Sequence, residues 1–395
     1  MWISKQIPCV LVLGLLLQTE PLSAADDQLQ WHGFLSQAVV HTNDNNVGGH
    51  SDDGLGLDMR EVGANVSYRP NGDWLFSGQL LARWAGASDE GDPRVDYAFA
   101  DRTLISDDSR RIGIQVGKVK NPYGLYNTTR DVAHTRPGIL MPQSVYLDRI
   151  RDFYLAAPGV SLYGNHVHAD WEINWRVNAM RPETDSKDLE HLFMLRDSPG
   201  SYHGRNSWLG QILAERDGGK LRLGLTLGQV KARYRPGMPD VFSAGESTLK
   251  PRLLSLEWNS ENWSITGEYG RIRNQGRGYG PFGAGLEDPN TVETWYLQGT
   301  YRLDPALQVY LRRDAFYLNR KDRHGAGFAA ATGLPPYLGY AEGWVLGARR
   351  DLGAWAFSGE VHRTEGTGWL SPMDTPLLSQ RKNWRMLLLQ AAYRF

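Results

Sequence analysis

The sequence contains a single cysteine, Cys9, and no excess of charge of either sign. Its 395 residues carry 43 Lys and Arg against 44 Asp and Glu, a formal net charge of −1. This balance excludes a nucleic-acid-binding protein that relies on a global basic field. One cysteine cannot build a disulfide framework, and an apolar content of 41% is too high for a disordered chain.

Long apolar runs are also missing. Beyond the N-terminus, no stretch approaches the roughly 18 consecutive apolar residues of a membrane-spanning helix. The N-terminus has the pattern of a secretory signal, because Lys5 precedes an apolar run at 10–17 and small residues follow it. We predict a signal peptide at 1–24 and a single domain at 25–395. The mature chain would then lack Cys9, which excludes a cysteine nucleophile or a cysteine zinc site.

What the sequence does contain is strict alternation of apolar and polar residues. In 167–179 the odd positions are Val, Ala, Trp or Ile, and the even positions are His, Asp, Glu, Asn or Arg. Successive side chains of a strand point to opposite faces, so this pattern predicts a strand with one apolar and one polar face. Similar patterns occupy 61–69 and 221–228. Many of the segments reach about ten residues, the length that a tilted membrane strand needs.

Connections of two lengths alternate along the chain. Short turns are separated by long polar segments, and aromatic residues such as Trp258 and Trp263 flank the short turns. Trp and Tyr favour the boundary between membrane and water. Short turns at one end, long loops at the other and an aromatic girdle are typical of an antiparallel transmembrane β-barrel. The predicted short turns are 70–73, 106–109, 164–166, 217–220, 260–262, 304–306 and 351–354.

The alternation predicts an all-β fold of about sixteen strands, which would enclose an aqueous channel. An even number of strands leaves both termini at the short-turn end. The chain ends on an alternating strand closed by Phe395, which resembles the C-terminal signal of outer-membrane barrels and implies the barrel-assembly machinery as a partner. The predicted strands are 29–41, 57–69, 74–85, 94–105, 110–117, 158–164, 167–180, 207–216, 220–231, 249–259, 263–272, 291–303, 307–318, 341–351, 354–363 and 383–395.

The longest predicted connection follows strand 5 and runs from Lys118 to about Ala157. Loops of this length in a compact fold are usually functional. Its apolar residues, such as Leu125 and Tyr146, predict that it folds into the barrel lumen rather than lying in water. We therefore predict that this third long loop forms a pore constriction. The charged residues assigned to it are Lys118, Lys120, Arg130, Asp131, Arg136, Asp148, Arg149 and Arg151.

Charges on the polar face of the strands would line the same lumen. Charge rings in a narrow wet pore set its ion preference, and the net positive charge of the loop predicts a mild preference for anions. The alternative is that these charges only solvate a polar lumen and pair with each other. The residues predicted to face the lumen are Arg69, Arg83, Arg111, Arg176, Arg222, Arg302, Arg312, Glu172 and Glu268.

A sixteen-stranded barrel with this large third loop resembles the bacterial outer-membrane porin superfamily. Within it, 111–118 followed by the Lys-Asn-Pro-Tyr-Gly-Leu segment 120–125 resembles the phosphate-selective porin O and P family. The resemblance implies a Gram-negative outer-membrane location, contact with outer-membrane lipid and lipopolysaccharide, and a homotrimer. It also implies passive diffusion of small hydrophilic solutes or ions through a water-filled channel. The strands lack a dense run of Lys and Arg, which argues against phosphate selectivity. A channel specific for phosphate, organic acids or oligosaccharides is the alternative.

Catalytic motifs are not found in the sequence. There is no Gly-x-Ser-x-Gly segment, and the ten His residues form no cluster with metal-ligand spacing. Glu360 and His362 share the lumen face and could do acid–base chemistry, but we favour a simple hydrogen bond between them within the lumen. We predict no enzyme activity, no cofactor, no metal site and no nucleic-acid partner. A barrel adhesin and an outer-membrane hydrolase are the remaining alternatives.

Overall fold

A computed structural model describes residues 28–195 and 198–395, and the predicted signal peptide lies outside these residues. The described chain forms one closed sheet of sixteen antiparallel strands, in which each strand pairs with its sequence neighbours and β1 pairs with β16. The predicted antiparallel barrel of sixteen strands is therefore confirmed. The strands are β1 (Leu29–Thr42), β2 (Gly56–Tyr68), β3 (Trp74–Trp84), β4 (Arg94–Ser106), β5 (Arg110–Lys120), β6 (Ala156–His168), β7 (Trp171–Met180), β8 (Ser201–Arg216), β9 (Leu221–Arg235), β10 (Gly245–Asn259), β11 (Trp263–Arg277), β12 (Asn290–Asp304), β13 (Leu307–Tyr317), β14 (Tyr340–Leu352), β15 (Trp355–Gly366) and β16 (Asn383–Arg394).

The apolar face of each strand lies on the outside of the barrel. On β9, the side chains of Leu223, Leu225 and Leu227 are exposed on the exterior, whereas Gly224 and Thr226 between them are buried. A soluble sheet would bury its leucines, so this inverted arrangement suits a hydrocarbon surrounding and a polar lumen. Within 28–195 and 198–395, no helix has the length and hydropathy of a membrane-spanning helix.

The connections differ in length at the two ends of the barrel, as the sequence predicts. The short-turn end carries seven tight connections and both ends of the described chain, and the other end carries eight long loops. Short helices lie in the long loops: α1 (Arg151–Leu155), α2 (Lys187–Met194), α3 (Ala284–Glu287) and α4 (Ala326–Thr332), with 3₁₀ turns at Ala133–Thr135, Asp148–Ile150, Pro281–Gly283 and Pro336–Gly339. The long loops are 43–55, 85–93, 121–155, 181–200, 236–244, 278–289, 318–339 and 367–382.

The turn predicted at 164–166 is wrong. Strand β6 continues to His168, and the hairpin turns at Ala169, whose φ of 52° lies in the left-handed region. Gly164 is instead part of the ladder opposite Trp175. A Cβ there would lie 2.8 Å from both the Trp175 ring and a neighbouring backbone oxygen, so this glycine marks a close approach rather than a turn.

The C-terminal aromatic residue closes the barrel against β1. The backbone N–H groups of Gly33 and Phe395 each donate to the other residue's carbonyl oxygen at 2.9 Å. The Phe395 ring covers Gly33 and meets Trp31 edge to face, with ring centroids 5.9 Å apart. Gly33 is therefore required by the ring packed over it.

Candidate functional site: a loop across the barrel interior

The loop between β5 and β6, residues 121–155, crosses the barrel interior, and we call it the inner loop. The backbone N–H of Leu125 donates to Glu268 on β11 at 3.0 Å, and that of Ile139 donates to Glu360 on β15 at 2.9 Å. The Arg149 guanidinium donates to the carbonyl oxygen of Leu370, in the loop before β16, at 2.9 Å. These contacts attach the loop to well-separated parts of the wall.

Two buried carboxylates of the barrel wall accept hydrogen bonds from the inner loop. Glu268 accepts hydrogen bonds from the hydroxyls of Tyr146, at 2.5 Å, and Tyr296, at 3.0 Å, as well as from Leu125. Glu360 accepts from two consecutive backbone N–H groups of the loop, at 139 and 140, and from the Tyr310 hydroxyl at 2.6 Å. Both carboxylates are almost fully buried, so these hydrogen bonds replace the water that each would otherwise need.

Aromatic and aliphatic packing adds to these hydrogen bonds. Tyr123, Met141, Val145 and Tyr146 of the inner loop form one buried cluster with Leu253 and Tyr296 of the wall. Ile139 and Leu140 belong to a second cluster with β1 and β16. The apolar loop residues therefore cover the wall on two sides, which explains why a chain of 35 residues can cross a polar interior.

Arg83 on β3 is the centre of the largest group of charges. Its guanidinium donates to Glu61 on β2 at 3.1 Å, to Asp89 at 2.8 Å, and to Asp148 of the inner loop. From the loop, Arg136 donates to the second oxygen of Glu61 at 2.6 Å. A wall strand and the loop thus share the same carboxylate.

Asp148 and Asp131 bind the loop to the cations around it. Arg130 donates to Asp148 at 2.9 Å, and Lys120 at the end of β5 donates to Asp131 at 2.9 Å. Loss of hydration raises the pKa of Asp148, but Arg83 and Arg130 lower it more, so the net shift is downward. The pKa of Asp131 is lowered in the same way, with burial opposed by Lys120. Both aspartates are therefore charged at neutral pH.

This group of ion pairs, which we call the charged cluster, is electrically balanced. Its cations equal its carboxylates in number, so the positive charge counted on the loop alone is offset by carboxylates of the wall and the neighbouring loop. The cations are Arg83, Arg94, Lys120, Arg130, Arg136 and Arg151, and the carboxylates are Glu61, Asp89, Asp96, Asp131, Asp148 and Asp152.

Two small cavities lie beside the cluster. A cavity of about 20 Å³ is lined by Arg83, Arg130, Arg136, Arg151 and Glu61 among others, which is room for about one water molecule. A second cavity of about 50 Å³ lies beside Arg149. Within the described residues, no group of three or more His, Cys, Asp or Glu is arranged to hold a metal ion.

Two residues assigned to the constriction loop lie elsewhere. Lys118 and Lys120 belong to β5, because its ladder with β6 continues to the pair formed by Lys120 and Ala156. Lys118 pairs with Glu183 of the loop after β7 at 2.7 Å. Lys120 does reach the inner loop, through Asp131.

Most of the strand charges predicted for the lumen lie on the inward face. Arg83, Arg312 and Glu268 contact the inner loop, and Arg176 and Arg222 pair with side chains of neighbouring strands. Glu172 accepts from Asn165 at 3.2 Å, and Arg111 and Arg302 lie close to the short turns. β2 ends at Tyr68, so Arg69, which was predicted to lie on the strand, is the first residue after it, and its side chain is exposed at the short-turn end.

Sequence reasoning missed some of the residues that hold the loop. Gln79 on β3 donates to Asp131 at 2.6 Å and to Asp96 at 3.0 Å, and it shares inward parity with Arg83, a signal that was readable. Asp89 lies in the loop between β3 and β4, where no strand pattern indicates direction. Its ion pair with Arg83 therefore depends on the conformation of that loop.

An apolar exterior, a polar interior and a long loop attached to opposite walls define the class of outer-membrane β-barrels with an inward-folded loop. No protein-family model matches the chain, and neither does any curated protein sequence. Because no family model matches, the narrower resemblance to the phosphate-selective porins stays a prediction.

Solved structures of outer-membrane proteins have the same fold. An anion-selective porin from Comamonas acidovorans shares 12% identity at a TM-score of 0.58, covering 93% of this chain and 99% of that one. OmpF of Salmonella typhi, in complex with daunomycin, shares 13% identity at a TM-score of 0.57, covering 93% of this chain and 97% of that one. The trimer form of OmpT from Vibrio cholerae shares 11% identity at a TM-score of 0.54, covering 93% of this chain and 99% of that one. The chain therefore has the fold of the Gram-negative outer-membrane porins.

Proposed function

We propose that the protein is an outer-membrane porin, a water-filled channel through which small hydrophilic solutes or ions diffuse passively. The observation that carries the proposal is the inner loop, which places the charged cluster inside a closed barrel whose inward face is polar. Sixteen strands enclose a lumen too wide for wall side chains alone to fill, so a loop is needed to set its width.

The charged cluster supports weak rather than strong ion selectivity. Its cations and carboxylates are equal in number, which works against the mild anion preference that the charge of the loop alone predicts. Ions passing it would meet both signs within a few ångströms, a transverse field that orients dipolar solutes more than it excludes one charge.

We propose that the functional unit is a homotrimer and that its assembly depends on the last strand. The trimer is supported by the fold shared with solved outer-membrane proteins, one of which, OmpT of Vibrio cholerae, is a trimer form. The role of the last strand is supported by Phe395, whose backbone and ring close β16 against β1.

A liposome-swelling assay tests the solute range. Proteoliposomes should swell at rates that fall steeply as the size of a neutral sugar increases, because the inner loop narrows the lumen. A deletion of part of the loop should flatten this dependence. Equal swelling of protein-free and protein-containing liposomes for every solute would overturn the channel proposal, and uptake saturating with one solute class would favour a specific channel.

A further inference from the structure

One of the two cavities beside the charged cluster has a lining with an excess of positive charge. This cavity, of about 20 Å³, is lined by five arginines and two carboxylates among other residues, and we call it the arginine cavity. The arginines are Arg60, Arg83, Arg130, Arg136 and Arg151, and the carboxylates are Glu61 and Asp148. Arg60 stacks on the ring of Trp84, 4.6 Å from its centroid, and the other four arginines belong to the charged cluster.

The excess is local, although the charged cluster is balanced as a whole. The cluster members that do not line the cavity are two cations and four carboxylates, namely Arg94, Lys120, Asp89, Asp96, Asp131 and Asp152. At the cavity itself the arginines outnumber the carboxylates, so they repel one another. Burial lowers the pKa of the Arg130 guanidinium to about 10, and the neighbouring arginines add to this effect while Asp148 opposes it.

The carboxylate oxygens at the cavity already accept hydrogen bonds from guanidinium groups. Glu61 accepts from Arg83 at 3.1 Å with one oxygen and from Arg136 at 2.6 Å with the other. Asp148 accepts from Arg130 at 2.9 Å with one oxygen and from Arg83 with the other. The acceptors that the protein supplies at the cavity are therefore engaged.

Hydrogen-bond donors remain after these bonds are made. Among the described residues, Nε of Arg130 and both Nε and Nη2 of Arg151 are buried and have no hydrogen-bond partner. Nη2 of Arg151 is 3.6 Å from a carboxylate oxygen of Asp96, which is too long for a hydrogen bond. Arg130 and Arg151 are 1% and 3% exposed, so bulk water does not replace the missing acceptor. Buried charged donors without an acceptor are costly, which calls for an acceptor in the cavity.

The occupant that fits this lining is a monatomic anion. A water molecule accepts hydrogen bonds but must also donate its own, and the carboxylate oxygens here are already engaged. An anion only accepts, and it also offsets the local positive charge. A volume of about 20 Å³ is too small for phosphate or sulfate, whereas chloride is only slightly larger than a water molecule.

We propose that the arginine cavity binds a single chloride ion, which holds the inner loop against the barrel wall. Arg130 and Arg136 come from the first half of the loop, Arg151 comes from its end, and Arg83 lies on β3. One buried ion would therefore attach both parts of the loop to the wall. The site is structural, and the proposal does not depend on conductance through the barrel.

The test is hydrogen exchange of the inner loop, measured by mass spectrometry on refolded protein in detergent. Sodium chloride replaces sodium gluconate in steps at constant ionic strength, so that screening of ion pairs stays the same. We expect exchange at 130–136 and 148–151 to slow by about tenfold for each tenfold increase in chloride above its dissociation constant, because the loop must release the ion to open. Bromide should act as chloride does. Equal exchange in chloride and gluconate would overturn the proposal.

The variant Arg151→Gln removes one positive charge and two of the three donors without a partner. Its exchange should no longer depend on chloride. The matched control is Arg222→Gln on β9, which removes a partly buried arginine paired with Glu215 and Glu257 and distant from the cavity lining. The control should keep the chloride dependence of the wild type, and an equal loss in both variants would contradict a site at the arginine cavity.

A direct measurement needs no variant and decides the case if Arg151→Gln does not fold. Crystals of the wild-type barrel grown in sodium bromide should show an anomalous scattering peak in the arginine cavity, within hydrogen-bond distance of Arg130 and Arg151. Density there without anomalous signal would identify the occupant as water and overturn the proposal.

Discussion

The attachment of the inner loop at Glu360 gives a prediction whose size follows from the structure. The Glu360→Ala variant removes the acceptor of two consecutive backbone N–H groups, those of Ile139 and Leu140. Each buried donor left unpaired costs about 1–3 kcal/mol, so this part of the loop should lose about 2–6 kcal/mol of its preference for the docked position. The barrel itself should persist, because its ladder is unchanged.

Hydrogen exchange read by mass spectrometry measures this loss on peptides covering 138–141. A loss of 2–6 kcal/mol corresponds to exchange faster by a factor of about 30 to 10⁴. The control is Glu342→Ala, which removes an outward carboxylate from the neighbouring strand β14. If hydrogen exchange at 138–141 were unchanged in Glu360→Ala while the barrel stayed intact, Glu360 would not be the acceptor that holds this part of the loop.

Two further predictions concern closure and pH. Gly33→Val should lower the melting temperature, because a Cβ at this position would lie 2.1 Å from the Phe395 ring and overpacking costs about 1–3 kcal/mol, whereas Ala64→Val on the adjacent exposed position should not. The melting temperature of each variant is read from the loss of the fast-migrating band of the folded barrel in gels of samples heated to increasing temperatures. Equal melting temperatures for the two variants would contradict the packing of the Phe395 ring on Gly33. Burial raises the pKa of Asp148, but Arg83 lowers it more, so the folded value lies below the ordinary pKa of about 3.9. The stabilisation that Asp148 gives the docked loop is therefore complete above about pH 3.9 and is lost as the pH falls through the lower folded value. Exchange at 146–150, corrected for intrinsic rates, should therefore be constant from pH 7 to about pH 4.5; a rise near pH 6 would refute this.

The strand pattern is readable from the sequence because the membrane imposes it. Each strand must show an apolar face to hydrocarbon and pair all its backbone groups, which leaves alternation of period two as the signal. The ends of β8 and β9 at the long-loop side, 201–206 and 232–235, were missed because the pattern inverts there. On β9 the inward side chains Ala232 and Tyr234 are buried and mostly apolar, and the outward ones, such as Arg233, are charged.

The candidate site is predictable in position but not in pairing. Length and apolar content indicate that the loop 121–155 packs against something, and parity indicates which strand charges face inward. Which charges meet depends on barrel tilt and on the path of the loop. Arg83 therefore could not be matched to Asp148, 65 positions away, from spacing alone. The same limit hid the balance of the charged cluster.

Single-channel recording in a planar bilayer under a salt gradient tests the channel proposal most directly. We expect a stable conductance proportional to voltage and a reversal potential close to zero, because the charged cluster is balanced. Glu360→Ala should make that conductance larger and noisier as the loop loosens. Refolded barrels that insert and conduct no current, in wild type and variant alike, would contradict the account.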